Sequence, residues 1–349
     1  MSQIGKQTAV VVAPGRGTYN KPELGYFTRH HGARSALLAE IDAYRRNAGQ
    51  TPVSELDRAE RFSGSRHTRG DNASPLIYAC AYADFLSIDR DQFDIIGVTG
   101  NSMGWYVALA CAGALDAMGG LQVVNTMGRL MQEQMIGGQL IYPFVDEGWQ
   151  QIPGRRDEIL SLMAEIDGRS GCELALSIEL GGMLVLAGNE AGLTAFEKRL
   201  PRRQGRFPMR LPNHAAFHTA LQEPVASLGR AALERGLFTQ PALPLIDGRG
   251  GLWRPGSSDL AALYDYTLGH QVVRTYDFTA AIRTAARELM PDVFILLGPG
   301  TTLGGAVAQS LILSGWRGWG SKADFTARQQ GRPRLLSMGL PEQRALAAR

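Results

Sequence analysis

The segment from Asp94 to Ala114 restricts the possible folds more than any other part of the sequence. Asp94–Val98 (DIIGV) has the pattern of a buried β-strand, and an apolar helix is expected to run to about Ala114. Between them lies the glycine-bounded turn Gly100–Gly104 (GNSMG). A strand that passes through a glycine turn into a helix is typical of a parallel sheet with crossover helices. The segment therefore predicts an α/β protein.

The same alternation of strand and helix continues on both sides of this segment. Thr8–Ala13 (TAVVVA) is a β-branched run that ends at the tight loop Pro14–Gly17 (PGRG). A proline is tolerated in a first helical turn, so Ser74-Pro75 is expected to open a helix. The further predicted helices are Ser35–Arg46, Leu76–Leu86, Thr219–Arg235 and Phe278–Leu289, and the further predicted strands are Leu243–Ile246 and Val293–Leu297.

The pattern changes between residues 138 and 211, where shorter elements follow one another in the order β-α-β-β-α-β. That order is the split βαβ arrangement of a ferredoxin-like fold. The sequence therefore predicts a large α/β domain from residues 1–137 and 212–313, a small inserted domain at 138–211, and an extended or loosely packed polar tail at 314–349. The small domain's predicted strands are Gln139–Val145, Glu173–Glu179, Met183–Ala187 and Arg206–Leu211, and its helices are Arg155–Ile166 and Glu190–Leu200.

Composition excludes several classes of protein. The 36 basic and 33 acidic residues leave a net charge of +3, and the basic residues are scattered, whereas nucleic-acid binding needs a concentrated basic patch. Three cysteines (Cys80, Cys111 and Cys172) lie far apart in apolar runs, which argues against a disulfide framework or a zinc site. No run of 18 apolar residues predicts a membrane span, and Met1–Gln7 does not resemble a signal peptide. We expect a cytoplasmic monomer without a metal.

Ser102 is the candidate nucleophile. It is the central residue of a GxSxG run that follows a predicted strand and precedes a predicted helix, which is the setting of a nucleophile elbow. The two glycines let the backbone turn sharply. Free amides at the start of the helix would stabilise a developing oxyanion. An ordinary glycine turn with a capping serine has the same local sequence, so this alternative stays open.

His218 is the candidate base among the six histidines. It lies in Ala215–Thr219 (AAFHT), with apolar residues before it and a predicted helix after it. A neutral imidazole in a semi-buried turn of this kind could accept the serine proton. A histidine that only caps the helix is equally compatible with the spacing.

Five segments in order carry a resemblance to a known family. They are residues 10–17 (VVVAPGRG), 100–104 (GNSMG), 112–133 (AGALDAMGGLQVVNTMGRLMQE), 215–221 (AAFHTAL) and 296–303 (LLGPGTTL). Together they cover residues 8–310, and this region resembles the malonyl-CoA:acyl-carrier-protein transacylase family, which includes the acyltransferase domains of polyketide synthases. The resemblance implies an α/β-hydrolase-like large subdomain with an inserted ferredoxin-like small subdomain.

The resemblance also implies a ping-pong acyl transfer. Ser102 would attack an acyl-CoA thioester with His218 as its base, and the phosphopantetheine thiol of an acyl carrier protein would then take the acyl group. The backbone amides of Met103 and Arg16 would form the oxyanion hole. A main-chain carbonyl near Gln271 would orient the histidine. Acyl-CoA and phosphopantetheine are substrates in this scheme, and no permanently bound cofactor is implied.

The departures from the family pattern concern the substrate. Met127 stands where malonyl-selective members carry an arginine that pairs with the malonyl carboxylate. A thioether cannot pair a carboxylate, so we expect an uncharged acyl group, acetyl or longer. Arg16 replaces a glutamine, Asn101 a histidine and Trp105 a glutamate, and Phe217 precedes the histidine. We count Asn101, Trp105, Met127 and Phe217 as candidate substrate-binding residues. A malonyl transferase that uses Arg16 as a relocated carboxylate partner is an alternative.

Two further functions stay open at this stage. An acyl-thioester hydrolase would form the same acyl-serine and resolve it with water instead of a thiol, and the sequence does not decide between the two. A non-catalytic protein that keeps the fold and binds a carrier protein is less favoured, because Ser102 and His218 are both present.

Overall fold

The computed structural model of the chain describes residues 5–349. Its strands form two sheets. The larger has the order β11-β10-β1-β2-β7-β8 and the smaller β6-β3-β5-β4-β9. The strands are β1 (Gln7–Ala13), β2 (Phe93–Gly100), β3 (Gly138–Pro143), β4 (Leu174–Leu180), β5 (Met183–Gly188), β6 (Met209–Arg210), β7 (Leu245–Ile246), β8 (Leu252–Trp253), β9 (Tyr276–Asp277), β10 (Val293–Leu296) and β11 (Leu335–Ser337).

The large sheet is parallel except at its last strand. β1 pairs in parallel with β2 and β10, β2 with β7, and β10 with β11, whereas β8 runs antiparallel to β7. Residues Ala9–Ala13 of β1 are completely buried, as expected for a central strand covered by helices on both faces. The expected parallel α/β sheet is therefore confirmed.

Sixteen α-helices accompany the two sheets in residues 5–349, with short 3₁₀ and π segments between some of them. They are α1 (Tyr26–His30), α2 (Ser35–Asn47), α3 (Val53–Asp57), α4 (Gly64–His67), α5 (Gly70–Ser87), α6 (Gly104–Cys111), α7 (Ala117–Gln134), α8 (Arg155–Asp167), α9 (Glu190–Arg199), α10 (Glu223–Ala232), α11 (Leu260–Asp265), α12 (Gln271–Val273), α13 (Phe278–Thr284), α14 (Leu303–Leu313), α15 (Lys322–Gly331) and α16 (Pro341–Ala347). No helix in this part of the chain is both long enough and apolar enough to span a membrane.

Helix α5 begins earlier than the sequence predicts. It starts at Gly70, so that Pro75 lies inside the helix and not in its first turn. A proline in a helix interior leaves the carbonyl four residues before it without its usual N–H partner. Here that carbonyl belongs to Asp71, and it accepts a hydrogen bond from Nη1 of the buried Arg45 at 2.8 Å. This long-range partner lets α5 continue through the proline.

The small sheet has the element order predicted for a ferredoxin-like unit. β3, α8, β4, β5, α9 and β6 follow one another along the chain, and four of the strands lie in the order β6-β3-β5-β4. The last predicted strand is reduced to Met209–Arg210. A fifth strand, β9, comes from residues 276–277 and pairs in parallel with β4. The fold class is thus confirmed, with one strand contributed to the small sheet from outside residues 138–211.

The prediction of a loosely packed tail at residues 314–349 is wrong. This part forms α15, β11 and α16, and β11 extends the large sheet beside β10. Arg344 of α16 reaches the fully buried Asp84 of α5, with 2.7 Å between the guanidinium and the carboxylate. Strand β11 could not be predicted from the sequence because it has only three residues (LLS), too few for a recognisable alternation of apolar and polar side chains.

Candidate active site

The turn between β2 and α6 holds Ser102 in a constrained backbone conformation. Ser102 has φ +56°, in the left-handed region that side chains rarely adopt. A Cβ on Gly100 would overlap the carbonyl of Gly104, and a Cβ on Gly104 would overlap the carbonyl of Ala13 in β1. Both glycines of the GxSxG run are therefore required by close backbone contacts. The serine hydroxyl stands at the carboxyl end of the central strands, where α/β folds usually bind ligands.

His218 lies next to the hydroxyl of Ser102. The distance from Ser102 Oγ to His218 Nε2 is 2.7 Å, and His218 Nδ1 lies 2.6 Å from the main-chain oxygen of Gln271. A carbonyl oxygen only accepts hydrogen bonds, so Nδ1 carries the proton and Nε2 presents its lone pair to the serine. The structure brings these two side chains together across 116 residues of sequence, with the carbonyl of Gln271 behind the ring.

Burial keeps the imidazole of His218 neutral. The ring is enclosed, and the resulting desolvation lowers the pKa of His218 to about 4, against an opposing and smaller effect of the Gln271 carbonyl. At neutral pH the side chain is therefore an unprotonated acceptor, which is the state that a general base needs.

Two tyrosines that the sequence did not single out support the same groups. Tyr106 of α6 donates to Gln271 Oε1 at 2.9 Å, and Gln271 Nε2 donates to the carbonyl of Ser102 at 3.1 Å. Tyr276 of β9 donates to the carbonyl of Gly100, and its ring centroid lies 5.3 Å from that of His218. No local motif marks these tyrosines, because each meets its partner only after the chain has folded.

Two neighbouring spaces open beside Ser102. The outer cleft, about 500 Å³, lies between the two sheets, and the inner pocket, about 20 Å³, has room for about one water molecule. Ser102, Arg16 and Phe217 line both. The other residues of the inner pocket are Ser74, Met103, Tyr106, Met127, Gly128, Met131, His218 and Gln271.

Three of the four candidate substrate-binding residues lie at these spaces. Met127 and Phe217 line the inner pocket, and Asn101 lines the outer cleft. Trp105 lines neither, and its selection is wrong. Its side chain is completely buried in the core, where its indole N–H donates to Thr267 Oγ1 at 3.0 Å. Helix α6 is buried on every side, so its sequence gives no sign of which residues face the site.

The two amides expected at the oxyanion hole are those of Met103 and Arg16. Met103 N lies directly before the first turn of α6, where backbone N–H groups lack helical partners. Within the described part of the chain, neither amide donates to another protein atom. Both are therefore available to a ligand, and their role in an oxyanion hole stays a prediction.

The guanidinium of Arg16 is held at the junction of the two spaces. Nη2 donates to the carbonyls of Thr68 at 3.0 Å and Asn213 at 2.9 Å, and the group lies 5.5 Å from the ring centroid of Phe217. Nε and Nη1 are buried and, within residues 5–349, have no hydrogen-bond partner. Burial lowers the pKa of Arg16 to about 10, although Asp71 opposes the shift. The side chain remains a cation at neutral pH.

Comparisons with known proteins agree with this architecture. No protein-family model matches the chain. A polyketide synthase from Mycobacterium marinum, phenolphthiocerol synthesis polyketide synthase type I Pks15/1, is 26% identical over 319 residues, which is 88% of this chain but only 14% of the synthase. The chain therefore spans a small part of that relative's length.

Solved structures give the fold directly. The malonyl-CoA:acyl carrier protein transacylase of Xanthomonas oryzae superimposes with a TM-score of 0.76 at 18% identity, covering 99% of this chain and 100% of the other. A second malonyl-transacylase, PlMCAT, solved in complex with the type II polyketide synthase acyl-carrier protein AntF, gives 0.69 at 18% identity over 88% and 93%. The resemblance found in the sequence is thus confirmed: this chain has the fold of the malonyl-CoA:acyl-carrier-protein transacylases.

Proposed function

We propose that this protein is an acyltransferase that moves an acyl group from coenzyme A to the phosphopantetheine thiol of an acyl carrier protein through an acyl ester of Ser102. The observation that carries the proposal is the 2.7 Å contact between Ser102 Oγ and His218 Nε2, with Nδ1 of the same ring on the Gln271 carbonyl. The transacylase fold and the carrier-protein complex of a structural relative support the choice of acceptor.

The first half-reaction forms the acyl-enzyme. Ser102 Oγ attacks the thioester carbon while His218 Nε2 takes the hydroxyl proton, and the amides of Met103 and Arg16 bind the oxyanion. Collapse of the tetrahedral intermediate breaks the C–S bond, and the leaving thiolate recovers the proton from His218. In the second half-reaction the carrier thiol gives its proton to His218 and attacks the ester carbon. The bond from that carbon to Ser102 Oγ then breaks, and Oγ takes the proton from His218. A thiolate is a good leaving group, so no carboxylate partner is needed behind the histidine.

The two spaces beside Ser102 suit the two parts of an acyl thioester. The outer cleft has mostly apolar walls and a volume of about 500 Å³, and we assign it to the pantetheine arm. The inner pocket is small, and Met127 on its wall is fully buried and apolar. Burying a carboxylate against a thioether would cost several kcal/mol. We therefore propose an uncharged and short acyl group such as acetyl.

A carboxylated acyl group is the second candidate, and one observation favours it. Arg16 Nε and Nη1 are buried without protein partners, and so is Ser74 Oγ on the wall of the inner pocket. Unpaired buried donors favour a ligand with acceptor oxygens. A malonyl carboxylate entering the inner pocket would meet the cation of Arg16, although Met127 lies on the same wall.

Acylation by a series of thioesters tests the proposal. The protein is incubated with acetyl-, propionyl- or malonyl-CoA, with and without a phosphopantetheinylated carrier protein, and followed by intact-protein mass spectrometry. We expect acetyl-CoA to label the protein fastest, the label to move to the carrier, and Ser102→Ala to remain unlabelled. A wild-type adduct that persists in Ser102→Ala contradicts the serine ester. Release of free acid at the same rate with and without carrier identifies a hydrolase instead.

The variant Arg16→Gln separates the two acyl classes. For an uncharged substrate it should preserve the order of labelling, acetyl before malonyl. If malonyl-CoA labels the wild type faster and Arg16→Gln loses that preference, the carboxylated candidate is correct. Arg129→Gln is the matched control, because Arg129 is only two residues from Met127 but pairs with Glu133 on the exposed side of α7.

A further inference from the structure

A directional chain of hydrogen bonds runs through the small sheet to the wall of the outer cleft. Ser177 Oγ donates to the carbonyl of Phe217 at 2.8 Å, and Gln139 Nε2 donates to Ser177 Oγ at 2.7 Å. Gln139 Oε1 lies 2.9 Å from Nδ1 of His214. Gln139 and Ser177 are both buried. This series of hydrogen bonds therefore links Phe217, the residue before His218, to a second histidine, His214.

The direction of this chain fixes the tautomer of His214. The carbonyl of Phe217 can only accept, so it takes the single hydroxyl proton of Ser177. Ser177 Oγ must then accept from an N–H, which orients the amide of Gln139 with Nε2 toward the serine and Oε1 toward the histidine. Nδ1 of His214 consequently carries the proton, and Nε2 presents a lone pair.

That lone pair faces the outer cleft. His214 is one of the residues that line it, and a Cβ built on Gly17, another lining residue, would lie 3.9 Å from Nε2. Within residues 5–349 Nε2 has no hydrogen-bond partner. Neighbouring parts of the wall are apolar: Ile141, Ile178, Leu180, Val185 and Leu211.

Burial and the charge of Arg16 lower the pKa of His214, so that it is neutral. Arg16 on the loop after β1 and Arg206 before β6 line the same cleft. Burial and then the charge of Arg16 lower the pKa of His214 to about 3. The lone pair of Nε2 is thus available at every pH at which the protein would work.

We infer that His214 Nε2 accepts a hydrogen bond from an amide N–H of the pantetheine arm, both in the acyl-CoA donor and in the carrier protein. The inference rests on the proposed function, because it assigns the outer cleft to that arm. Pantetheine contains two secondary amides joined by alkyl spacers. An amide N–H that leaves water for an apolar cleft without an acceptor there weakens binding, because its hydrogen bond to water is not replaced. Asn101 also lines the cleft and its Oδ1 is buried without a partner in residues 5–349, but its amide can turn either end toward a ligand, whereas neutral His214 Nε2 can only accept.

Truncated thioesters test the inference. Acetyl-CoA carries both amides, S-acetyl-N-acetylcysteamine carries one, and S-ethyl thioacetate carries none. In His214→Leu we expect the ratio of kcat/KM for acetyl-CoA to that for S-ethyl thioacetate to fall about tenfold, mainly through KM, as for the loss of one buried hydrogen bond. His214→Gln, which restores an acceptor, should recover most of the ratio. His270→Leu, a histidine outside both spaces, is the control and should leave the ratio unchanged.

Binding of pantetheine itself keeps the inference separate from the chemistry. In Ser102→Ala, measured by calorimetry, His214→Leu should weaken pantetheine binding about tenfold. An equal loss for all three thioesters means that His214 is only structural, and an unchanged ratio means that it does not touch the arm. Absence of pantetheine binding to Ser102→Ala also overturns the inference. If pantetheine binds but the wild type never forms acyl-Ser102, the proposed function is wrong, whereas the contact between His214 and the pantetheine arm is still supported.

Discussion

The acylation of Ser102 should be almost independent of pH down to about pH 5. The reacting form has a neutral His218, and burial lowers the pKa of this residue to about 4. The neutral fraction at pH 5 is then about 0.9, whereas a histidine with an ordinary pKa of about 6.5 would be only about 3% neutral. The two cases differ about 30-fold in rate at pH 5.

Rapid quenching followed by intact-protein mass spectrometry gives the rate of acetyl-Ser102 formation from acetyl-CoA between pH 8 and pH 5. We expect less than a twofold decline over this range, and a tenfold decline per pH unit only well below pH 4. A midpoint near pH 6.5 would refute the idea that the enclosed ring is kept neutral by desolvation. Ser102→Ala provides the baseline at each pH.

Folding must be monitored in the same samples, because the lowered pKa also links stability to pH. A histidine whose pKa is lower in the folded than in the unfolded protein stabilises the fold above about pH 6.5, and this contribution is lost as the pH falls toward the folded-state value. His218 and His214 both have lowered pKa values. Each should reduce the free energy of unfolding by about 2 kcal/mol between pH 7.5 and pH 5. Circular dichroism at each pH identifies the range in which a rate reports on chemistry alone.

Three further predictions concern the support of the site, the C-terminal region and the acyl pocket. Gln271→Leu should slow acylation about tenfold, since it removes the side-chain tie to the Ser102 carbonyl, whereas Tyr106→Phe should slow it about threefold; equal rates in both variants and the wild type would contradict the tie. Asp84→Leu should lower the free energy of unfolding in urea by about 3–5 kcal/mol, because it leaves the cation of Arg344 without its buried partner; a loss below about 1 kcal/mol would show that α16 is held by other contacts. Met127→Arg should raise the labelling rate by malonyl-CoA relative to acetyl-CoA about tenfold or more, since it adds a cation to the inner pocket, and an unchanged ratio in the thioester series would show that residue 127 does not contact the acyl group.

The sequence was informative wherever backbone geometry allows few residue types. The glycines at 100 and 104 are required by overlaps with neighbouring carbonyls, so their spacing correctly located the turn that holds Ser102. Burial of β1 on both faces explains the β-branched run that predicted a strand there. In both cases a structural constraint limits the residue types within a short segment, so the sequence of that segment shows it.

Contacts between residues that are far apart in the sequence produce no comparable local pattern. Tyr106 and Tyr276 are ordinary core residues by sequence, and only the folded chain brings them to Gln271 and Gly100. Trp105 was misassigned for a related reason: a helix buried on all sides has no polar face from which its orientation can be read. The tail was missed because three residues suffice for a strand when a sheet edge is already present.

The parallel pairing of β9 with β4 has a mechanical consequence. Because a strand from the large part of the chain belongs to the small sheet, the two sheets cannot swing apart without breaking main-chain hydrogen bonds. Side chains reinforce the tie: Thr275 donates to the carbonyl of Leu176, and Gln309 accepts from the amide of Gly182. These contacts oppose a change in the width of the outer cleft. A thioester arm would then bind in a cleft whose width changes little. Selectivity would come from the side chains that line the cleft and not from a closing motion of the two subdomains.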